Sequence, residues 1–347
     1  MTLPSTVKRV LPQLAALLVI LALNTAIAPG FLDIAYANGR LYGSLIDILN
    51  RGAPVALLAV GMTLVIATRG IDLSVGAVMA ICGAVAAALI TSDHSLAATI
   101  LATLGVGILC GLWNGALVAF LGIQPIIATL ILMVAGRGIA QLITEGVILT
   151  FNVPGLIFVG SGSIIGVPFP VILWIVIGIA AALIFRTTAL GLLVEAIGIN
   201  RRASALAGIG TSALLLAVYA ASGLCASVAG IVAAADIRGA DANNAGLWLE
   251  LDAILAVVVG GNSLMGGRFS IAGSLIGAMI IQSVNTGILL AGFPPEFNLV
   301  IKAAIIVVIL VVQSPASHTL FAFVRHRPGR ATEAPTHAAE TKEEAAR

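Results

Sequence analysis

A charged pair stands at the junction of two apolar blocks early in the chain. Arg69 and Asp72 belong to the string ATRGIDLSVGA, which joins the apolar blocks 52–68 and 71–91. Charged side chains in such surroundings are costly and therefore indicate function. Asp72 and Ser74 are predicted to line a substrate path, and capping of the following helix is an equally supported role for Asp72. Both roles can hold, because a helix N-terminus at a cavity also offers free N–H groups to hydroxyls.

A second polar stretch, 236–252, has the sequence DIRGADANNAGLWLELD. Its amides, carboxylates and indole ring suit a neutral polyhydroxylated ligand, and they equally suit the rim on which a soluble partner docks. We favour an outer gate or docking rim, with direct ligand contact and ordinary loop structure as alternatives. The residues predicted for this rim are Asn243, Asn244, Trp248 and Glu250. Asn262 and Ser263, in the following GGNSLMGGR, are predicted to join Asp72 and Ser74 on the substrate path.

The third polar stretch, EAIGINRRASALAGI at 195–209, lies between two apolar blocks. If it is helical, Ile199, Ala203 and Leu206 share one face, at i, i+4 and i+7. Such a helix either lies on lipid headgroups or docks a soluble partner, and its many small residues favour the close approach of a partner. The residues predicted to make this contact are Glu195, Gly198, Asn200, Arg201 and Arg202.

Several kinds of chemistry are missing from the sequence. There is no nucleotide-binding P-loop, no paired His or Cys motif with metal-ligand spacing, and no nucleophile elbow. We therefore predict no catalytic residue and no metal site, and the lack of a Lys- and Arg-rich patch with interleaved aromatic residues predicts no nucleic-acid partner. The apolar blocks also carry no ladder of His or carboxylate residues, which a proton-coupled carrier would usually show.

The elements that must position these residues are membrane helices. The chain is 60% hydrophobic and 9% charged, with a mean hydropathy of +1.14, whereas soluble domains carry about 25% charged residues. A spanning helix needs about 20 apolar residues. The predicted fold is an all-α polytopic membrane protein with about ten spans, near 10–29, 52–68, 71–91, 97–121, 126–143, 169–186, 211–235, 251–262, 270–290 and 298–313.

Two of these spans are unusual, since 251–262 is short and both it and 52–68 run into glycine and polar residues. Short, interrupted apolar segments are typical of broken helices around a substrate path. Basic residues favour the inner side of a membrane, so Lys8 and Arg9 predict an inside N-terminus, and ten spans bring the C-terminus back inside. We predict a transmembrane domain over 1–324 and a disordered inside tail over 325–347, rich in Ala, Glu and Arg.

Three of the strings carry a resemblance to a known family. In this order, GIDLSVGA, EAIGINRRASALAGI and ELDAILAVVVGGNSLMGGR resemble the permease subunits of bacterial ATP-binding cassette (ABC) sugar importers, of the ribose and galactofuranose type. The resemblance covers about 40–320, nearly the whole chain. It implies that the chain is not an enzyme, but moves a monosaccharide such as galactofuranose or a similar aldose into the cytoplasm by alternating access.

The resemblance also implies a set of partners. They are an ABC ATPase subunit that binds ATP and Mg, a second permease subunit (a paralogue, giving a heterodimer), a periplasmic sugar-binding protein and membrane lipid. No cofactor is implied in this chain. The location would be the bacterial inner membrane, and about 191–210 would be the coupling helix that contacts the ATPase.

The chain departs from the family pattern at two places: in its tail, and at Arg69, where a second glycine usually precedes Gly70. The alternative function is an ion-gradient-driven secondary sugar carrier, for which only the region of Asp72 offers a titratable group within the membrane.

Overall fold

The structure is a computed structural model that describes residues 5–37, 39–294, 296–297 and 299–304. Its first compact unit spans Met1–Asn298 and contains all the helices and strands named below. The second unit, Leu299–Arg347, is described only over its first six residues, which are helical. The predicted tail lies outside the described residues, and so does most of the tenth predicted span.

The first unit contains twelve α-helices among its described residues. They are α1 (Ser5–Ile27), α2 (Ser44–Arg51), α3 (Ala53–Ala67), α4 (Val75–Thr91), α5 (Leu96–Ala119), α6 (Pro125–Thr144), α7 (Pro154–Ser161), α8 (Phe169–Thr187), α9 (Ala189–Leu206), α10 (Thr211–Ile237), α11 (Leu249–Val259) and α12 (Ile271–Leu290).

Six of these helices are long and apolar enough to cross a membrane: α1, α5, α6, α8, α10 and α12. The pair α2–α3, bent by 44°, would add a seventh. Helix α4 has 17 residues, and α11 has only 11. At 1.5 Å per residue, α11 extends about 16 Å, roughly half of a hydrocarbon core of about 30 Å. A mostly helical, polytopic membrane protein is therefore confirmed, while the prediction of about ten spans is not established by the described residues.

Helix α10 lies at the centre and packs on α3, α4 and α5. Its close contact with α5 depends on glycine. A Cβ on Gly111 of α5 would overlap the backbone carbonyl of Tyr219, and a Cβ on Gly223 of α10 would overlap the carbonyl of Gly107. Small residues let the backbones approach, which is how helices associate in lipid without a hydrophobic driving force.

Short strands tie the loops together on one side of the protein. They are β1 (Ala35–Ala37), β2 (Arg40–Tyr42), β3 (Leu149–Thr150), β4 (Ser163–Ile164), β5 (Val167–Pro168) and β6 (Gly239–Ala240). Strand β1 pairs with β2 and β4 with β5, both antiparallel, and an isolated bridge from Arg40 to Gly166 joins the two hairpins. Antiparallel pairing of β3 with β6 brings the loop after α6 to the loop after α10. Counting the predicted spans from an inside N-terminus puts both loops outside, and this pairing places them on the same side.

Candidate functional site

A buried polar cluster holds the break between α3 and α4. Asp72 is 2% exposed, and its Oδ1 accepts hydrogen bonds from the backbone N–H of Ser74 (3.0 Å) and from the Ser74 hydroxyl (2.6 Å). The hydroxyl of Ser222, in α10, donates to Asp72 Oδ2 over 2.8 Å. Asn114 of α5 donates from Nδ2 to Ser74 Oγ over 2.7 Å. The carboxylate thus holds the turn that leads into α4 and links it to α10, while Ser74 links the same turn to α5.

Two polar atoms at this cluster are buried without a hydrogen-bond partner in the structure: Asn114 Oδ1 and Tyr219 Oη. Tyr219 lies beside the break, because a Cβ on Gly70 would come within 2.6 Å of its hydroxyl oxygen. Buried polar groups usually have a hydrogen-bond partner. These two atoms are therefore the places in the cluster where a water or a substrate hydroxyl would form a missing hydrogen bond.

Asn262 belongs to a separate cluster at the turn between α11 and α12. Its Nδ2 donates to the carbonyl of Val257 (3.1 Å) and to Ser274 Oγ (2.9 Å), and its Oδ1 accepts from the N–H of Ser270 (2.6 Å). The hydroxyl of Thr63, in α3, donates to Ser274 Oγ over 2.7 Å. Asn262 therefore holds this turn together.

The four residues predicted for the substrate path are only partly brought together. Asp72 and Ser74 contact each other directly, whereas no hydrogen bond joins them to Asn262 in the described part of the chain. Ser263 is exposed, and its hydroxyl accepts from the N–H of Met265. Sequence reasoning did not select Ser222, because a serine in an apolar helix carries no signal of a partner 150 residues away.

Asn243 and Asn244 lie in an exposed loop that Asp241 organises. Asp241 Oδ1 accepts from both backbone N–H groups, and its Oδ2 accepts from the Asn244 side chain over 2.7 Å. That side-chain hydrogen bond lowers the pKa of the Asp241 carboxyl below its ordinary value. Gln141 of α6 donates to Asn243 Oδ1 over 2.9 Å, which joins the loop to a spanning helix.

Trp248 and Glu250 differ in how far they are exposed to solvent. The Trp248 side chain is half exposed, whereas Glu250 is 5% exposed at the start of α11. A Cβ on Gly76 would meet the Glu250 carboxylate and would lie 3.4 Å from the Arg137 guanidinium, so the three residues lie together. Arg137, which is not among the predicted site residues, donates from Nη1 to the carbonyl of Ala245. Glu250 is thus a buried residue at a helix junction rather than part of an exposed rim.

Helix α9 contains most of the predicted coupling stretch, but it is not one continuous helix. Its backbone breaks at Asn200 (φ −155°, ψ 95°), and Asn200 Oδ1 accepts from the N–H of Ala203 over 3.0 Å. Asn200 therefore caps a second, short helical piece. The prediction of a single face shared by Ile199, Ala203 and Leu206 is wrong for this reason. Ile199 and Leu206 are nevertheless 62% and 87% exposed, so this part of the chain presents apolar side chains outward.

The remaining predicted coupling residues occupy distinct places on α9. Gly198 is buried, and a Cβ there would overlap the carbonyl of Ala67 at the end of α3. Arg201 donates from Nη2 to the carbonyl of Ala119 over 3.1 Å, at the C-terminus of α5, where a positive charge is favourable. Glu195 lines a cavity of about 370 Å³. Arg202 is exposed.

Comparison with known proteins places these elements in context. The family model described as the branched-chain amino acid transport system, permease component, matches residues 44–310. The galactofuranose transporter permease protein of Escherichia coli (strain K12) is 61% identical over 317 residues, which cover 91% of this chain and 93% of that protein.

Two further relatives are also sugar permeases by name. The fructose import permease protein of Bifidobacterium longum (strain NCC 2705) is 41% identical, over 91% of this chain and 90% of that protein. The ribose import permease protein of Escherichia coli (strain K12) is 38% identical, over 87% of this chain and 92% of that protein. No solved structure matches the chain.

Proposed function

We propose, from the premise that the chain belongs to the family of the branched-chain amino acid transport system permease component, that its own cargo is a monosaccharide. The chain is a permease subunit of an ABC importer, a multi-pass protein of the inner membrane and not an enzyme. The observation that carries the proposal is the 61% identity to a galactofuranose permease over 91% of the chain. Galactofuranose, or an aldose close to it, is the proposed substrate.

The proposed partners follow from this role. An ATPase subunit binds ATP and Mg in the cytoplasm, a periplasmic protein delivers the sugar, and a second permease subunit, a paralogue of this chain, completes the channel. The family implies no cofactor in this chain. The exposed apolar side chains of α9, Ile199 and Leu206, support the docking of a protein partner there.

The predicted site residues enter the proposal in three groups. Asp72, Ser74, Asn262 and Ser263 serve the substrate path. The buried network around Asp72 supports a role in shaping this path rather than in direct contact with the sugar. Asn243, Asn244, Trp248 and Glu250 serve the outer gate. Glu195, Gly198, Asn200, Arg201 and Arg202 serve coupling to the ATPase.

The proposed topology has ten spans with both chain termini in the cytoplasm. Six long helices and one bent pair supply seven spans, and α4, α11 and the region 298–313 supply the rest. The transmembrane domain is proposed to extend over 1–324, followed by a cytoplasmic tail over 325–347. The ion-gradient-driven carrier is disfavoured, because the relatives are import permeases of sugar transporters.

The substrate can be tested by competition. Proteoliposomes that hold the assembled importer and its binding protein are given radiolabelled galactofuranose, with unlabelled galactofuranose, fructose or ribose in excess. We expect unlabelled galactofuranose to suppress uptake of the label most strongly. Absence of labelled uptake, or stronger suppression by a branched-chain amino acid than by any sugar, would show that the proposed substrate class is wrong.

A further inference from the structure

The break between α3 and α4 and the turn between α11 and α12, here called the two breaks, meet each other beside Gly198 of α9. Helix α3 ends at Ala67, whose carbonyl accepts a hydrogen bond from the N–H of Gly267, in the turn between α11 and α12, over 2.9 Å. A Cβ on Gly198 of α9 would overlap that same carbonyl and would lie 2.6 Å from Gly267 N. Gly198 therefore contacts both breaks at once, and only glycine fits at this position.

A side chain adds a second link between the same two breaks. Arg69 follows the end of α3, and its Nε donates to the carbonyl of Met265 over 2.7 Å. Gly266 packs against this arginine, since a Cβ there would lie 2.5 Å from Arg69 Cγ. The hydrogen bond joins residues 196 positions apart, so it fastens the α3–α4 break to the α11–α12 turn rather than stabilising either one locally.

Arg69 has a backbone conformation that favours glycine over arginine. Its φ is +64°, in the left-handed region that glycine enters without steric cost and other residues enter with strain. The side chain is exposed, so burial of apolar surface does not account for an arginine there. What the arginine supplies, and glycine would not, is the hydrogen bond to Met265.

Both breaks lead to the polar clusters described above. The chain continues from Arg69 to Asp72, and from Met265 to Ser270, which bonds to Asn262. Arg201 of α9 holds the end of α5 at Ala119, about one and a half helical turns beyond Asn114. A displacement of α9 is thus passed to the α3–α4 break, to the α11–α12 turn and to α5 through direct contacts.

We propose that Arg69 is a positioning residue of transport: its hydrogen bond to Met265 straps the two breaks together, so that movement of α9 displaces both as one unit. This inference rests on the proposed function, since it needs an ATPase that moves α9. Without the strap, α9 would still move when ATP is hydrolysed, but only the backbone hydrogen bond from Gly267 to Ala67 would join the two breaks, so they would follow α9 less closely as one unit. Hydrolysis would then continue with less sugar carried.

The test is Arg69→Gly in the assembled importer, with binding protein, in proteoliposomes. Glycine suits the left-handed backbone, so the variant is expected to fold at least as well as the unaltered chain. Arg238→Gly is the matched control, because Arg238 is also an exposed arginine with positive φ (+55°) but ends α10 beside the outer loops. We expect Arg69→Gly to raise the ATP hydrolysed per sugar imported about fivefold or more, with ATPase co-purification and melting temperature kept. Arg238→Gly should leave that ratio unchanged.

Three results would overturn the strap. The first is an unchanged ratio in Arg69→Gly while the unaltered importer shows ATP-driven uptake. The second is loss of ATPase co-purification, which would make Arg69 a docking residue instead. The third is an equal rise in Arg238→Gly. If the unaltered importer shows no ATP-driven uptake at all, the proposed function fails along with the strap, so the two failures can be told apart.

Discussion

At Asp72, three donors converge on one buried carboxylate: the N–H and hydroxyl of Ser74, two residues away, and the hydroxyl of Ser222, 150 residues away. A carboxylate so occupied has little capacity left for a passing sugar. It holds the start of α4 against α10, and in the proposed function this contact shapes the substrate path at the break between α3 and α4.

Removal of the Ser222 hydroxyl tests this assignment. Ser222→Ala leaves Asp72 Oδ2 short of its donor, and we expect a loss of about 1–3 kcal/mol of stability, measured as a lower melting temperature in detergent. Ser227→Ala is the matched control on the same helix, since Ser227 donates only to the carbonyl of Leu224 in its own helix. The KM for sugar should be unchanged in both variants. A several-fold higher KM in Ser222→Ala with unchanged melting would instead put Asp72 in contact with substrate.

Sequence reasoning reached Asp72 and Ser74 because polar residues between apolar blocks are conspicuous. It could not reach Ser222, whose hydroxyl looks like any small residue of a membrane helix until the fold brings it to the carboxylate. It also placed Glu250 on an outer rim, since position along the chain says nothing of burial, and the structure shows that residue at the junction of α4 and α11.

At the scale of elements, the crossing of α5 and α10 is the contact on which the central packing depends. Both helices approach through glycines, and a side chain at the crossing would push the backbones apart. Because both helices also carry partners of the Asp72 cluster, Asn114 and Ser222, the crossing sets the spacing of that cluster.

Two glycine substitutions on α5 separate crowding from helix propensity. Gly111→Ala places a Cβ against the carbonyl of Tyr219, so we expect a lower melting temperature and weaker uptake. Gly105→Ala meets open space on the same helix and should be neutral or slightly stabilising, by up to about 1 kcal/mol. Melting and uptake of the two variants, measured side by side, check this. Equal effects would show that the crossing is not close-packed.

The elements differ in how far their sequence reveals them. The sequence predicts that α11 is short, because the apolar segment 251–262 is short and glycines follow it. The break in α9 is not, because Asn200 fits a helical pattern as well as a cap, and only the contacts of Gly198 with Ala67 and of Arg201 with Ala119 decide where the helix must turn.

At the scale of the whole molecule, the side that carries the strand-paired loops and the side that carries α9 should face opposite compartments. Pairing of β3 with β6 and the bridge from Arg40 to Gly166 gather the loops after α1, α6 and α10. The predicted topology puts those loops in the periplasm and α9 in the cytoplasm.

Cysteine labelling can check that orientation. Ile165 (95% exposed) lies in the hairpin of β4 and β5, and Leu206 lies at the end of α9. In sealed right-side-out vesicles, we expect a membrane-impermeant maleimide to label Ile165→Cys at once and Leu206→Cys only after permeabilisation. The unaltered chain, whose Cys82 and Cys225 are buried, gives the background. The opposite pattern would invert the topology.

In the proposed function, this permease moves sugar at the expense of ATP hydrolysed by a partner. The most direct measurement is sugar uptake into sealed vesicles that hold the assembled importer, with ATP at the ATPase side, in the presence and absence of an uncoupler. We expect uptake to persist with the uncoupler and to stop without ATP or without the ATPase subunit. Uptake that collapses with the uncoupler, or that proceeds with this chain alone, would contradict it.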